Sequence, residues 1–359
     1  MISYFFNKLL YAFFTLFGVV TMVFFLFNIL PGDPARMMLD QNENSEQLAV
    51  VKKKYGFDQP LSTQYAYYLN DLSPISLHSV NPEDYTYCSP GKYDAWPLVA
   101  LKNLVIVVKK PYLRESFQKN GKQVSAIIAE TLPNTVFLAV FAIGIALCIG
   151  IVLGICSALN KDTWLDKSIA IFSTFGMSIP SFFSAILFAW VFGFLLHDWT
   201  QLNMTGNLYE VDDFGNGKSL QLKNSLLPAI VLGIRPLAVV IQLMRNALLE
   251  VLSQDYIRTA KAKGLSTWSI VYKHALKNAL NPVITAISGW FASMLAGAVF
   301  VEYIFGWNGL GKEIVEALNT LDLPVIMGAV LIIATTFVFI TILVDLIYAY
   351  LDPKVKLKP

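Results

Sequence analysis

The sequence predicts an all-α polytopic membrane protein with six transmembrane helices and a long extracytoplasmic segment after the first. Three observations carry this expectation. Of 359 residues, 55% are apolar and only 14% charged, against roughly 25% charged in soluble domains. Mean hydropathy is +0.55. The charges are also spaced so that six apolar runs, each near or above the length of about 20 residues that a bilayer requires, are almost free of them. The runs are Leu9–Leu30, Leu132–Asn160, Ser168–His197, Leu226–Met244, Asn281–Val301 and Leu323–Val344. Three cysteines and three scattered histidines provide neither a disulfide framework nor a zinc set.

The first run is too long for a signal-peptide core, and Pro31-Gly32-Asp33-Pro34 follows it where a small-residue cleavage site would stand. Residues 31–131 are the only stretch able to form a water-exposed segment. It holds a polar helix-like stretch near Asp40–Lys54 and turn signals at Ser73-Pro74, Asn81-Pro82 and Ser89-Pro90-Gly91. Leu104–Val108 is apolar but too short to cross, and reads as a strand or a lipid-surface segment. Alone, this segment is poorly cored. The second and third runs exceed the bilayer thickness and are expected to tilt or project. The fourth contains Arg235, the one charge inside a run.

Orientation follows from Lys and Arg in short loops. Arg245–Leu280 carries Arg245, Arg258, Lys261, Lys263, Lys273 and Lys277 against Glu250 and Asp255, and the tail adds Lys354, Lys356 and Lys358. Glu302–Asp322 and Asp198–Lys223 are net acidic. Both termini and the 245–280 loop are therefore expected to be cytoplasmic, with 31–131 outside. The expected organisation is a first helix over 1–30, an outer segment over 31–131, a five-helix core over 132–350 containing the 245–280 loop, and a tail over 351–359.

Catalytic patterns fail. Gly306–Lys312 fits the opening of a phosphate-cradling loop, but Glu313 stands where Ser or Thr would hold magnesium. Gly217-Lys218-Ser219 lacks the upstream glycine, and neither H-E-x-x-H nor G-x-S-x-G occurs. No catalytic residue and no metal site is expected. The informative part is the cytoplasmic loop. Asp255–Ser266 reads as a helix ended by Gly264, with Ser266 capping the next. Ile257, Ala260 and Gly264 share one face, where small residues would let a partner approach, rimmed by Arg258, Lys261 and Lys263. Trp268, Val271 and Tyr272 would give the second helix an apolar face. A basic loop lying on anionic lipid is the alternative. Ala260-x-x-x-Gly264 superficially suggests a DNA-binding helix-turn-helix, but the loop is tethered between two spans, and no nucleic acid partner is expected.

Five stretches in register resemble the permease subunits of ABC importers for oligopeptides and dipeptides, of the OppB/DppB type. They are Pro31–Ala35; Tyr55–Leu61 with Gln64-Tyr65; Asp255–Ala260 leading to Gly264; Glu302–Phe305 with Gly309-Leu310-Gly311; and Asp345–Tyr348 with Asp352-Pro353. The resemblance covers nearly the whole chain. It implies the type I ABC importer permease fold in a bacterial cytoplasmic (inner) membrane. It also implies a second homologous permease subunit, two cytoplasmic ABC ATPases that bind ATP and magnesium, an extracytoplasmic solute-binding protein and a peptide substrate. No cofactor belongs to this chain itself. By the same resemblance Asp255, Tyr256, Ile257, Arg258, Thr259, Ala260, Lys261, Lys263 and Gly264 form the ATPase-coupling helix.

Departures from the family pattern are Arg258 in place of a glutamate, Gln242 where relatives often carry a basic residue, Asn308 for a common proline and Lys354 for an arginine. Residues 73–112 look like an insertion beside the solute-binding protein's docking face, and are expected to contribute to docking. Arg235 admits two readings, a pathway residue near a peptide carboxylate or a charge that snorkels or pairs with a partner span. Asp345, at the end of the sixth run, is expected to act in structure at the cytoplasmic interface. Relatives of this architecture also carry nickel chelates or glutathione, so cargo stays open. An ion-gradient-driven carrier is the competing class, and the absence of intramembrane carboxylates speaks against it.

Overall fold

The first apolar run folds as one helix, α1 (Ile2–Ile29). Without water, every backbone N–H in such a run needs an intrachain partner, and a helix supplies it. The computed structural model describes residues 2–29, 35, 45–89, 91–119, 121–211 and 217–351. The Pro31–Pro34 motif and the basic tail after Pro353 lie outside the described residues. Helices dominate the described residues, with two small sheets between the apolar runs.

After α1 come α2 (Ser45–Tyr55) and α3 (Leu61–Leu72). Three strands follow, β1 (Ile75–Ser79), β2 (Ala95–Ala100) and β3 (Leu104–Lys109), antiparallel in the order β1-β3-β2. The apolar stretch Leu104–Val108 is thus the central strand. The second run is α4 (Val124–Leu159), whose 36 residues give a rod of about 54 Å at 1.5 Å per residue. That is far longer than a hydrocarbon core of about 30 Å.

The third run is not one straight helix. It divides into α5 (Trp164–Ser178) and α6 (Ser181–Trp190), and the two halves are bent by 108°. Pro180 explains the break: it has no N–H to donate, and it forces the residue before it out of the helical region. Ile179 accordingly has ψ 131°. A short hairpin, β4 (Tyr209–Val211) with β5 (Lys218–Leu220), follows. Next come α7 (Leu226–Leu252) and α8 (Asp255–Ala262). The fifth run is split between α9 (Asn281–Gly297) and α10 (Val299–Ile304), and α11 (Leu310–Thr320) and α12 (Leu323–Leu351) close the chain. Among the described residues four helices are long and apolar enough to cross a membrane, and the bent pair makes five if it is one span. Length and composition therefore reach five of the six predicted crossings.

By contacts the chain divides into two units. One comprises Leu9–Glu130 with Glu316–Ala334, and the other Met1–Lys8, Thr131–Val315 and Thr335–Pro359. In the second unit α4 and α7 meet almost backbone to backbone. A Cβ on Gly150 would stand 2.7 Å from Val240 Cγ1, and one on Gly154 would stand 2.7 Å from Met244 Cβ and 2.9 Å from the Ile241 carbonyl oxygen. This is a small-xxx-small contact, which in a membrane replaces the missing hydrophobic drive with close packing. Replacing Gly154 by Leu should therefore cost about 1–3 kcal/mol from overpacking. The expected result is a lower melting temperature by fluorescence-detected size exclusion in detergent, whereas Gly144→Leu, with open space around it, should melt like the wild type.

Candidate functional site

The loop after α7 builds a short helix on a buried base. Asp255 in the first turn and Lys261 in the last match the helix dipole. The end is a Schellman motif: Gly264 N–H donates to Lys261 O at 2.9 Å and Leu265 N–H to Ala260 O at 3.4 Å. Gly264 has φ +78°, a left-handed conformation that glycine adopts without penalty. Ser266 then caps the following turn by accepting from Ser269 N–H.

Spacing put Ile257, Ala260 and Gly264 on one partner-facing stripe, and the structure corrects this. Ile257 and Ala260 are buried with Met244, Leu248, Ile270, Ala275 and Ala279. The side chain of Ile257 gains by burial, and the small Ala260 is what brings α8 close to its own bundle. The face left free holds Asp255, Tyr256, Arg258, Thr259, Lys261, Lys263 and Gly264. Asp255 and Arg258 pair at 3.4 Å on the exposed face, and Tyr256 Oη accepts from Asn278 Nδ2 at 2.9 Å. Trp268 and Tyr272 are 68% and 76% exposed beyond it, while Val271 is buried. The arrangement is a basic, aromatic-flanked surface fixed rigidly to the end of α7.

An ion pair missed in the sequence braces this base. Asp166, at the start of α5, is buried and receives two bonds from Arg245 on α7, Nε to Oδ1 and Nη2 to Oδ2, each 2.7 Å. Ser157 Oγ on α4 and Asp162 N–H also donate to it. Three apolar helices are thereby held by one bidentate pair. By sequence alone Arg245 reads only as a loop charge.

Arg235 is exposed on α7 and lines a small open pocket of about 80 Å³ with Gly176, Ser181, Ser184, Trp290 and Ser293. It forms no ion pair among the described residues, so a cation with serine hydroxyls and one indole around it is what the pocket offers.

Gly306–Lys312 is occupied by the chain itself. Glu302 on α10, beyond the fifth apolar run, is fully buried, and its Oε2 accepts from Gly311 N–H at 2.7 Å and Lys312 N–H at 3.3 Å. A Cβ at Gly309 would overlap that carboxylate, and one at Gly311 would stand 2.5 Å from Val299 Cα. The glycines let backbone close over an internal carboxylate, on the amides where a phosphate loop would hold its anion. Burial pushes the Glu302 carboxyl up to about 7, with Thr135 and the two amides acting against it. An acid raised in the folded state loses stability as pH climbs from its unfolded value of about 4.5 to about 7, in total about 3 kcal/mol. Melting temperature should therefore fall across that window in the wild type, and Glu302→Gln should flatten the fall.

Residues 71–114 carry a second unanticipated cluster, which draws on the 73–112 stretch and its two flanks. Asp71, buried at the end of α3, accepts from Tyr93 Oη at 2.8 Å, Tyr85 Oη at 3.0 Å and Arg114 Nε at 3.0 Å. Lys109 Nζ donates to its backbone oxygen. Lys92 lies 3.8 Å over the Tyr85 ring, and burial brings its ammonium down to about 8. The sequence signal was only a crowd of tyrosines and cations. Among the described residues no set of three or more His, Cys, Asp or Glu could hold a metal ion.

Comparison with known proteins identifies the family. The family described as binding-protein-dependent transport system inner membrane component matches residues 150–357, and its N-terminal companion matches residues 1–85. The dipeptide transport system permease DppB of Alkalihalophilus pseudofirmus is 32% identical, covering 99% of this chain and 100% of its own. DppB of Bacillus subtilis is 32% identical over 96% and 94%. The probable D,D-dipeptide transport system permease DdpB of Escherichia coli is 32% identical over 94% and 93%. A chain of the methionine ABC transporter in an inward-facing form matches 64% of this chain and 97% of its own, with 15% identity and TM-score 0.48.

Proposed function

The chain belongs to the family of inner membrane components of binding-protein-dependent transport systems, and from that premise we propose that it is one of two permease subunits in an ATP-driven peptide importer. It forms half of the translocation pathway with a second, homologous permease. Two ATPases carrying ATP and magnesium dock from the cytoplasm, and an external solute-binding protein delivers the peptide. The observation that carries this reading is α8, whose inner face is locked into the α7 base through Ile257 and Ala260 while its outer face stays free. A helix held in this way moves with α7 or not at all, so ATPase closure pressed on Tyr256, Arg258, Lys261 and Lys263 is transmitted to the spans. Energetically the membrane part is a two-state element whose outward-facing form is favoured by ATP. The Lys and Arg distribution supports a cytoplasmic position for α8 and both termini.

The cargo assignment rests on relatives whose names specify dipeptides. The test is purification from native membranes in mild detergent, with every accompanying chain identified by mass spectrometry. The expected result is a second permease with one or two P-loop ATPases. A stable homo-oligomer without an ATPase, at expression levels where partners are present, would overturn the proposal in favour of a self-sufficient carrier.

A further inference from the structure

The three-stranded sheet has its polarity reversed. In a sheet half exposed to water, apolar residues point inward and polar ones outward. Here Ser76 and His78 of β1 and Lys109 of β3 are buried. His78 Nδ1 donates to Thr86 O at 2.8 Å, so its Nε2 accepts from the Ser76 hydroxyl at 2.9 Å. The strand register pairs Ile75 and Trp96 with Val108, and Leu77 and Val99 with Ile106. Those six apolar side chains share the opposite face, Trp96 and Ile75 on it are 64% and 63% exposed, and the Lys110–Asp94 ion pair closes the face at the end next to Val108 and Trp96. Its hairpin tip adds exposed Leu101 and Lys102. A continuous apolar face of this kind marks a contact surface.

The position of the sheet, within one compact unit, selects the occupant. Tyr68 of α3 stacks on Phe24 of α1 with ring centroids 5.5 Å apart, and Tyr65 Oη lies 2.6 Å from Thr21 Oγ1. Two residues beyond Tyr68, Asn70 clamps β1 by donating to Leu77 O at 2.9 Å and accepting from Leu77 N–H at 3.0 Å. Phe24 is four residues from the end of the apolar stretch Phe6–Asn28, about 6 Å inside it at 1.5 Å per residue. The strand is therefore tied to α1 at the depth where hydrocarbon gives way to headgroups. Tryptophan favours that depth, and a lysine there reaches the headgroups.

We propose that the Ile75–Leu77–Trp96–Val99 face is a lipid-contact surface, seated at the headgroup–acyl boundary of the membrane that α1 crosses. This rests on reading α1 as a span. The middle of the face is wholly apolar and its charges, the Lys110–Asp94 pair and Lys102, lie at its two ends, the arrangement that suits a surface bordered by headgroups.

The test uses the full chain, with the subunits that co-purify, in nanodiscs of phosphatidylethanolamine and phosphatidylglycerol. Cys88, Cys148 and Cys156 are replaced by serine, and a spin label is placed singly through Trp96→Cys, Val99→Cys, Glu83→Cys or Phe14→Cys. Collision rates with oxygen and with a water-soluble nickel chelate are then compared. Labels at 96 and 99 should show an oxygen-to-nickel ratio several-fold above the label at 83 and close to that at 14. Nickel access at 96 and 99 equal to that at 83, or protection from both reagents, would overturn the proposal, the first indicating water and the second a protein neighbour. The label at 14 tests the span itself, so a lipid signal at 14 with water at 96 fails this inference alone. As a second readout, brominated lipid should quench wild-type fluorescence more than that of Trp96→Phe.

Discussion

Arg245→Ala is expected to destabilise the chain by about 3–5 kcal/mol, the usual cost of leaving one partner of a buried pair alone. Asp166 would keep its bonds from Ser157 and Asp162 but lose the bidentate guanidinium that neutralises it beneath the α4–α5 turn. Arg245→Lys should not restore stability, because a single ammonium cannot satisfy both carboxylate oxygens in one plane. The double variant Asp166→Asn with Arg245→Gln should recover part of the loss, since no unpaired charge remains. Thermal unfolding in detergent, followed by size exclusion, reads all three. A wild-type melting temperature in Arg245→Ala would show that the pair contributes nothing to holding α4, α5 and α7 together.

Gly264→Leu should leave the subunits assembled but reduce ATP-coupled uptake by an order of magnitude or more. The residue has φ +78° with nothing within 4 Å of a hypothetical Cβ. The substitution is therefore not resisted by neighbours. It adds backbone strain of about 1–2 kcal/mol and a side chain on the surface proposed to meet the ATPase. Gly264→Asn, which tolerates the left-handed region, should retain more transport than Gly264→Leu. ATP hydrolysis and uptake measured on the same purified complex separate uncoupling from failed assembly. Normal uptake by the leucine variant would remove α8 from the coupling role.

What could be read in advance divides along a physical line. The first, second, fourth and sixth apolar runs, the Gly264 stop and the Ser266 cap are local, set by residues within one or two turns, and these agree with the structure. The 108° break in the third run also had a local signal, Ser178-Ile179-Pro180, but an uninterrupted apolar stretch outweighed it. The orientation of α8 was not local. Helical spacing places Ile257 and Ala260 on one face but is silent on whether that face meets a partner or the chain's own core. The Asp166–Arg245 pair spans 79 positions, and charge counting along the loop treats Arg245 as solvent-facing. Asp71 likewise draws Arg114 from 43 residues away. The reversed sheet defeats the usual pattern, because alternation reveals two faces without revealing which is covered.

The Glu302 loop illustrates the same limit at a motif. Glycine spacing matched a phosphate loop, yet the amides of Gly311 and Lys312 are already engaged by a carboxylate of the chain. Only the neighbouring helix distinguishes the two, and spacing does not contain it.

The most direct test of the central claim is transport by the purified complex. The chain and its co-purifying subunits are reconstituted in liposomes so that the ATPases sit where ATP is supplied, with the binding protein and a labelled dipeptide mixture on the opposite face. Uptake that requires ATP hydrolysis, persists when proton and sodium gradients are collapsed, and falls with Gly264→Leu is the predicted result. Accumulation driven by an imposed ion gradient without ATP would contradict the account.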